Sequence, residues 1–386
     1  MRKILPFILV LSFSAAWMIG CGDSKKVVPQ AQTTTFAFMQ EASNLTYMFN
    51  PMVGKYTTTN GNTQFSVGTV VDPTTNQPVT AEFYSIALSA DGKKATLDMY
   101  GGLDGTSNQW DIWVANADGT GTPVQITNDT NNNRMPQLSP DGAKVVFNSS
   151  RLGSDNYNRD LVVIRSATGS GGEVVLPMPE GVEQTWAPTF SPDGTKIAVE
   201  MWGYNYSTST WYDGIWVMNA DGSNPHMLTN PESTVGCDCY DETPSFTSDG
   251  TKIVYSRDDW TNATEVENIF IMNADGTGVT QLTNNVGINF DPLVLKIAGV
   301  GQKILFSSNR DNLSLAGGAG YEIYSMNMDG TGVTRLTTNT RYDAFMGEWY
   351  EPGEGASAAA RHARRVGSGS HPLLYQGHIQ GHEVQW

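Results

Sequence analysis

The sequence repeats two short motifs that each end in an Asp-Gly pair, and this repetition constrains the fold more than any other feature. Both motifs return after about 50 to 56 residues, a period typical of supersecondary units that stack on one another. The first motif resembles Ile-x-x-Met-Asn-Ala-Asp-Gly and begins at Ile112, Ile215, Ile269 and Ile323. The second resembles Ser-Pro-Asp-Gly and begins at Ser89, Ser139, Ser191 and Thr247.

Each Asp-Gly pair predicts a tight reversal between two strands. Glycine supplies the positive φ that such a turn needs, and apolar residues alternate in the segments on either side. Two hairpins per repeat give four antiparallel strands, and such a unit cannot bury both of its faces alone. The sequence therefore predicts an all-β fold, a β-propeller whose four-stranded antiparallel blades pack radially around a channel.

The Asp-Gly hairpins predict six blades. Five are continuous, at about 82–127, 134–176, 184–229, 241–283 and 290–337. The sixth is split between residues 33–80, where 36–40 resembles a second strand and 44–48 a third, and residues 342–349, which resemble a lone first strand. We therefore expect the C-terminal strand 342–349 to join the N-terminal strands and to close a six-bladed β-propeller.

The motifs Ser-Pro-Asp-Gly and Met-Asn-Ala-Asp-Gly, for example at Ser191 and Met218, resemble the TolB-type propeller repeat. The resemblance covers about residues 33–350 and implies a propeller in a bacterial cell-envelope setting. The TolB family carries an α/β domain before its propeller, and the stretch between Cys21 and Phe36 is too short for one. The resemblance therefore implies the propeller and its setting, and not the role of that family in the Tol system.

The N-terminal residues have the layout of a secretory signal. Arg2 and Lys3 precede an apolar run over residues 4–17, and Gly20 stands directly before Cys21. A small residue before a cysteine resembles the lipobox of bacterial lipoproteins, whose acylated cysteine anchors the protein to a membrane. We expect Cys21 to be the lipidation site. The alternative is an ordinary secreted protein in which Cys21 merely lies near the cleavage site.

The segments outside the repeat complete the predicted domain organisation. Residues 1–20 are the predicted signal peptide, 21–32 a tether, and 351–386 a disordered tail whose composition also suits an end foreign to the native protein. The predicted location is the bacterial cell envelope, with the lipid-anchored protein on the periplasmic side or in the outer membrane.

The chain carries 23 Lys+Arg against 39 Asp+Glu, a formal charge of −16. Such an acidic surface excludes nucleic acid as a partner, because binding a phosphate backbone requires basic residues.

Strand order predicts which end of the propeller carries the binding site. The Asp-Gly turns join strands 1 and 2, and strands 3 and 4, so the 2–3 loops and the links between blades lie at the opposite end. We call this end the variable-loop face, because binding usually resides in variable loops on a rigid scaffold. Its most distinctive loop, residues 201–212, has five candidate partner-binding residues: Trp202, Tyr204, Tyr206, Trp211 and Tyr212. The alternative is that these aromatic residues only extend and pack a long hairpin.

Six acidic residues stand at the entries to the predicted blades, where they would ring the channel mouth: Asp129, Glu183, Asp241, Glu242, Asp291 and Asp343. We expect no cofactor, but carboxylate oxygens suit calcium, which the sequence leaves open at these positions. The alternative, which we favour, is that these carboxylates pair with arginines that end the second strands, namely Arg151, Arg257 and Arg310.

Cys237 and Cys239 are separated by one residue in another variable loop. In an oxidising envelope we expect a local disulfide between them. A Cys-x-Cys metal site is the alternative, and His226 is the only histidine in the predicted propeller to support it.

The pattern favours a non-catalytic protein over an enzyme. The sequence has no Gly-x-Ser-x-Gly motif, and a single histidine in the propeller gives little basis for a Ser-His-Asp triad. We expect a monomeric, lipid-anchored scaffold that binds an envelope protein, a peptide or a cell-wall glycan through the variable-loop face. The alternative is a carbohydrate-active or calcium-dependent propeller enzyme with carboxylates at the central channel.

Overall fold

The computed structural model of the chain is a β-propeller of antiparallel sheets. It describes residues 32–41, 49–59, 62–69, 83–89, 93–100, 109–116, 123–152, 158–231, 237–261, 266–284, 287–297, 300–311, 321–338 and 343–344. Side chains are described from Ser85 onward in these ranges, except at 152, 158, 343 and 344. The predicted signal peptide, Cys21 and the predicted tail lie outside the described residues. Within those residues, no helix is long and apolar enough to cross a bilayer.

Five sheets are complete blades whose four strands follow one another along the chain, as the repeat predicts. Their strands are β4 (Phe83–Leu88), β5 (Lys94–Tyr100), β6 (Trp110–Asn116) and β7 (Val124–Gln125) in blade 1; β8 (Asn133–Leu138), β9 (Lys144–Leu152), β10 (Asn158–Ser166) and β11 (Val174–Val175) in blade 2; β12 (Val182–Phe190), β13 (Lys196–Asn205), β14 (Thr210–Asn219) and β15 (His226–Met227) in blade 3; β16 (Cys239–Phe246), β17 (Lys252–Asp259), β18 (Val266–Asn273) and β19 (Thr280–Gln281) in blade 4; and β20 (Asn289–Ile297), β21 (Gly301–Ser308), β22 (Glu322–Met326) and β23 (Thr334–Arg335) in blade 5.

The prediction of six blades closed by a strand over 342–349 is wrong, because only five complete blades form. The remaining sheet pairs β1 (Gln32–Glu41), β2 (Phe49–Thr59) and β3 (Asn62–Thr69) with β24, and β24 comprises only Asp343–Ala344. Two residue pairs join β24 to β1, Met39 with Ala344 and Gln40 with Asp343. The chain after blade 5 lacks the repeat, and it does not supply a full-length first strand in the described residues.

The N-terminal strands also differ from the prediction in position. The third strand was expected over residues 44–48, which lie outside the described residues, and the strand observed next is β2. Strands β2 and β3 pair up to Thr59 and Asn62, on either side of Asn60-Gly61. Asn-Gly is a strong two-residue hairpin signal. This pair was the signal that could have placed the hairpin correctly.

A bulge recurs in the inner strands of blades 2 to 5, each time directly before a proline. Met135, Ala187, Thr243 and Asp291 have φ between 47° and 54°, and the register of each strand shifts at this point. Proline has no N–H to donate and disfavours the helical region for the residue before it, so it is tolerated at a bulge in an edge strand. A bulge of this kind bends the strand and changes the direction of the side chains beside it.

The hydrophobic core lies between neighbouring blades. The first isoleucine of the repeated strand-3 motif is fully buried in every copy, at Ile112, Ile215, Ile269 and Ile323. Ile112, Ile215 and Ile269 each pack against apolar residues of the next blade; Ile269, for example, shares a cluster with Ile304 and Phe306. Ile323 lies in a cluster with Ile297 and Leu305 of its own blade. Because each blade covers the apolar face of its neighbour, the blades form a rigid support for the loops at the two ends.

In several blades, a threonine that follows strand 4 joins the two outer strands by hydrogen bonds. In blade 4, the Thr283 hydroxyl accepts a hydrogen bond from the Ile269 N–H at 3.0 Å and donates to Asn268 Oδ1 at 2.8 Å. Thr127 and Thr337 make the same pair of contacts in blades 1 and 5, with Asp111 and Glu322 as the acceptors. The repeated Leu-Thr or Ile-Thr of the sequence therefore has a structural role.

Replacing Thr283 by valine is expected to lower the free energy of unfolding by about 1–3 kcal/mol. Valine keeps the shape of threonine but leaves the buried Ile269 N–H and Asn268 Oδ1 without this partner. Thr280→Val, at an exposed position of the same strand segment, is the matched control and is expected to change stability by less than about 0.5 kcal/mol. Equal urea midpoints for the two variants would contradict a stabilising role of the Thr283 hydrogen bonds.

Candidate functional site

The β13–β14 hairpin of blade 3 rises at the variable-loop face and carries the predicted aromatic cluster. Its two strands are ten residues each and stay paired to Asn205 and Thr210. The turn is fixed locally, because Asn205 Oδ1 accepts hydrogen bonds from the N–H groups of Ser207 and Thr208 at 3.0 and 3.1 Å. Close to the turn, the Tyr204 N–H donates to the carbonyl of Gly181 at 2.9 Å.

Four of the five predicted residues form one continuous aromatic group, which we call the aromatic platform: Trp202, Tyr204, Tyr206 and Trp211. Trp202 and Trp211 stack with ring centroids 4.8 Å apart and planes inclined by 18°. Tyr204 meets Trp211 and Tyr206 edge-on at 5.0 and 5.2 Å. Tyr206 is 45% exposed, and the other three rings are half-buried. The strand pairing explains the grouping, because Trp202 and Tyr204 lie on one face and Trp211 is opposite Tyr204.

The structure places Tyr212 apart from the platform. Its ring is only 5% exposed and belongs to the core cluster that blade 3 shares with blade 2. It packs against Trp216 with ring centroids 5.5 Å apart, and burial raises the pKa of its hydroxyl. It lies opposite Gly203, where an added Cβ would come within 2.5 Å of the Tyr212 hydroxyl. Tyr212 therefore supports the hairpin and does not present a surface to a partner.

The acidic residues at the blade entries occupy different environments. Asp241 is fully buried and accepts two hydrogen bonds from Arg257, from Nε at 2.6 Å and from Nη2 at 2.8 Å. Asp129 lies 4.0 Å from the Arg151 guanidinium, and Glu183 lies 3.7 Å from that of Arg159. Pairing with arginine is thus observed for these three residues. Glu242 and Asp291 are also buried, whereas the side chain of Asp343 is not described.

The pairing of Asp241 extends to strand 4 of blade 3. Burial raises the pKa of Asp241, while hydrogen bonds from Arg257 and from the Thr229 hydroxyl oppose that rise. In blades 1, 4 and 5, the residue before the buried isoleucine of strand 3 accepts the hydrogen bond of the threonine hydroxyl. Blade 3 has Gly214 at this position, which offers no side-chain acceptor, so the Thr229 hydroxyl donates to Asp241 instead. The glycine at this position of the repeat therefore lets the threonine of blade 3 contact a charged pair of blade 4.

Cys237 and Cys239 are joined by a disulfide, with Cα atoms 5.3 Å apart. Asp238 between them accepts a hydrogen bond from the Tyr240 hydroxyl at 2.7 Å, and its carbonyl accepts one from the Trp260 N–H at 2.8 Å. In this bonded form the two sulfurs are not thiolate ligands. Across the described part of the chain, no three His, Cys, Asp or Glu side chains are grouped so that they could hold a metal ion.

The sequence interpretation missed a set of polar links between blades. Asp98 of blade 1 accepts hydrogen bonds from the N–H of Ser85 at 2.6 Å and from the N–H of Met135, at the bulge of blade 2, at 2.8 Å. Asn148 of blade 2 donates to the carbonyl of Thr185 in blade 3 at 2.7 Å. Asp98 and Asn148 each stand four residues after the lysine that opens strand 2, and this shared offset was the available signal.

Comparisons with known proteins support the fold. No protein-family model matches the chain, and no curated protein matches it. Among solved structures, a TolB protein of Agrobacterium tumefaciens is 16% identical, with a TM-score of 0.52 over 81% of this chain and 92% of that one. Hydrazine synthase of Kuenenia stuttgartiensis is 14% identical, with a TM-score of 0.55 over 83% of this chain, which spans about half of that one (48%).

A second TolB, from Acinetobacter baumannii, is 15% identical over 79% of this chain and 69% of that one, with a TM-score of 0.42. Identities this low concern the fold alone. The class that the fold defines is a TolB-like β-propeller, in agreement with the repeat motifs of the sequence.

Proposed function

We propose that this chain is a non-catalytic binding module of the cell envelope, which binds a protein, a peptide or a cell-wall glycan through its variable-loop face. The observation that carries the proposal is the aromatic platform, in which the stacked pair Trp202–Trp211 continues edge-on through Tyr204 to the exposed Tyr206. Aromatic rings offer a large contact area with few rotatable bonds to immobilise, and they dominate the energetics of many interfaces. Their flat faces also suit sugar rings.

The support beneath the platform favours binding by a preformed surface. Asn205 holds the turn, Gly181 accepts a hydrogen bond from the strand next to the turn, and the buried Tyr212 packs the hairpin onto the core. A surface that keeps its shape loses little conformational entropy on association. Binding by these rings therefore requires no rearrangement of the blades.

The cell-envelope setting rests on the sequence and on the TolB-like fold. The signal-like segment ending at Gly20 and the candidate lipidation site Cys21 support a lipid-anchored protein in a bacterial envelope. Between residues 22 and 350, 18 Lys+Arg stand against 36 Asp+Glu, a difference of −18. This charge would favour a basic partner and speed its association at low salt.

Replacing Trp202 and Tyr206 together by serine is expected to reduce capture of the partner at least tenfold, because truncating an aromatic anchor costs about 2 kcal/mol or more at an interface. The measurement is affinity capture from an envelope extract of the source organism, with the detergent-solubilised full chain as bait. Val279→Ser, an exposed apolar residue next to the outer strand of blade 4, is the control and should capture as well as the unmodified chain.

Two outcomes would contradict the proposal. Undiminished capture by the Trp202/Tyr206 variant, with an unchanged melting temperature, would remove the aromatic platform from the binding surface. Turnover of a glycan by the purified chain would replace the non-catalytic module by the carbohydrate-active alternative.

A further inference from the structure

Blades 2 and 5 each position an arginine at the variable-loop face through one serine and one asparagine, and we call this arrangement the cradle. Arg151 and Arg310 each donate from Nε to the serine two residues before them, Ser149 at 3.0 Å and Ser308 at 3.2 Å. Each serine in turn donates to the asparagine that opens the inner strand of its blade, Asn133 at 2.7 Å in blade 2 and Asn289 at 2.8 Å in blade 5. The two guanidinium groups are therefore positioned by equivalent neutral contacts.

In blade 2 this cradle holds a carboxylate. Nη1 and Nη2 of Arg151 donate to the two oxygens of Glu173 at 2.5 and 3.0 Å, which is the bidentate geometry of a strong charge-assisted pair. Asp129 lies at 4.0 Å from the same guanidinium. The cradle therefore presents both terminal nitrogens in an orientation that a carboxylate can use.

In blade 5 the chain does not supply that carboxylate. The residue equivalent to Glu173, three positions before the leucine that follows strand 4, is Val333. The residue equivalent to Asp129, four positions before the asparagine that opens the inner strand, is Asn285. Asp311 is engaged elsewhere, since it accepts a hydrogen bond from the Tyr324 hydroxyl at 2.7 Å and lies 3.9 Å from Arg335. Among the described residues, no carboxylate lies within 4.0 Å of the Arg310 guanidinium.

The sequence of the neighbouring segments supports the same conclusion. Residues 285–286, 312–320 and 339–342, which flank the strands of blade 5 outside the described residues, contain no Asp or Glu. A carboxylate for Arg310 would therefore have to come from outside blade 5.

Other contacts hold the Arg310 guanidinium in place without a carboxylate partner. It lies over the rings of Phe306 and Tyr324, 5.0 and 5.2 Å from their centroids, and Nη2 donates to Asn289 Oδ1 at 2.6 Å. Partial burial lowers its pKa, and the nearby Tyr324 and Asp311 oppose this shift without reversing it. Nη1 makes no hydrogen bond to any described residue. A fixed cation of this kind loses little entropy when it binds an anion.

We propose that Arg310 anchors a carboxylate-binding site at the variable-loop face of blade 5, where a ligand carboxylate takes the place that Glu173 takes at Arg151. Nη1 and the second N–H of Nη2 form the fork that holds its two oxygens. The site is separate from the aromatic platform of blade 3 and does not depend on it. The strong negative charge of the chain favours a ligand with a single carboxylate over a polyanion.

The test is an NMR titration of the full chain labelled with ¹⁵N-arginine, in which the probe is sodium acetate and sodium chloride at equal ionic strength is the reference. We expect the Arg310 Nε–H signal to shift and saturate with acetate, with a midpoint on the order of tens of millimolar for a single ion pair. The Arg151 signal should not respond, because Glu173 already occupies its fork. Arg310→Lys identifies the signal by its loss.

The matched variant is Glu173→Ala, which empties the cradle of blade 2. Glu173 lies at the surface and outside the core clusters, so the variant should fold, and its Arg151 signal should acquire an acetate response like that of Arg310. A response of Arg151 in this variant without one of Arg310 would overturn the proposal, as would silence of both arginines. A shift of equal size with chloride would also overturn it, since it would show a counterion effect only.

Discussion

Replacing Arg257 by alanine is expected to lower the free energy of unfolding by about 3–5 kcal/mol at neutral pH, because it leaves the carboxylate of Asp241 buried without its partner. Asp241 is fully buried in the inner strand of blade 4, and Arg257 supplies two hydrogen bonds of 2.6 and 2.8 Å. Chemical denaturation with urea, followed by tryptophan fluorescence, measures the change.

The pH dependence of this loss has a definite sign. Burial already raises the pKa of Asp241 above its ordinary value of 3.8, and removal of Arg257 takes away the contact that opposes that rise. The folded variant therefore binds a proton at a higher pH than the unmodified protein does. Its stability deficit should be largest at neutral pH and should narrow as the pH falls towards the pKa of the unfolded carboxyl group, about 4.

Arg151→Ala is the matched control for Arg257→Ala. Arg151 ends the second strand of blade 2 and also binds a carboxylate, but Glu173 is exposed, so the expected loss is about 1 kcal/mol or less. Equal losses for the two variants, or a deficit of Arg257→Ala that stays constant from pH 7 to pH 4, would show that burial of Asp241 does not govern this pair.

Replacing Gly214 by alanine is expected to lower the free energy of unfolding by about 3 kcal/mol, the upper end of the usual range for overpacking. An added Cβ would come within 2.1 Å of the Thr229 carbonyl oxygen, and a backbone atom cannot move aside as a flexible side chain can. The shift of Thr229 would also disturb its hydrogen bonds to the Ile215 N–H and to Asp241.

Gly172→Ala is the control for Gly214→Ala and has the opposite expected sign. Nothing lies within 4 Å of the Cβ added at Gly172, and its φ is outside the left-handed region. The substitution should therefore stabilise the protein by about 0.4–1 kcal/mol, through the lower entropy of the unfolded chain. Similar urea midpoints for the two alanine variants would mean that blade 3 adapts around Thr229, contrary to the close packing described above.

The internal repeat predicted the five complete blades because its signals are local. An Asp-Gly turn with apolar residues alternating on both sides specifies a hairpin within about a dozen residues, and the chain repeats this instruction. The blade ranges and the order of strands within each blade follow from that. The N-terminal strands have no such repeat, and there the prediction placed the third strand over 44–48, whereas β2 is observed at Phe49–Thr59.

The candidate sites show the same division. Sequence alone gathered the aromatic residues of one hairpin, but strand register decided that Trp202, Tyr204 and Trp211 share a face and that Tyr212 turns into the core. It also predicted arginine partners for the acidic residues, yet could not distinguish Arg257, which binds Asp241, from Arg310, which binds Asn289 and Ser308.

The sequence by itself determined the type of blade, the end at which the loops vary and the acidic charge, because these depend on local turns, strand order and composition. The tertiary structure decided which arginine meets a carboxylate and which aromatic ring reaches the surface. Such contacts join residues from different strands and different blades, and small offsets in register or a single glycine such as Gly214 change them without altering the repeat.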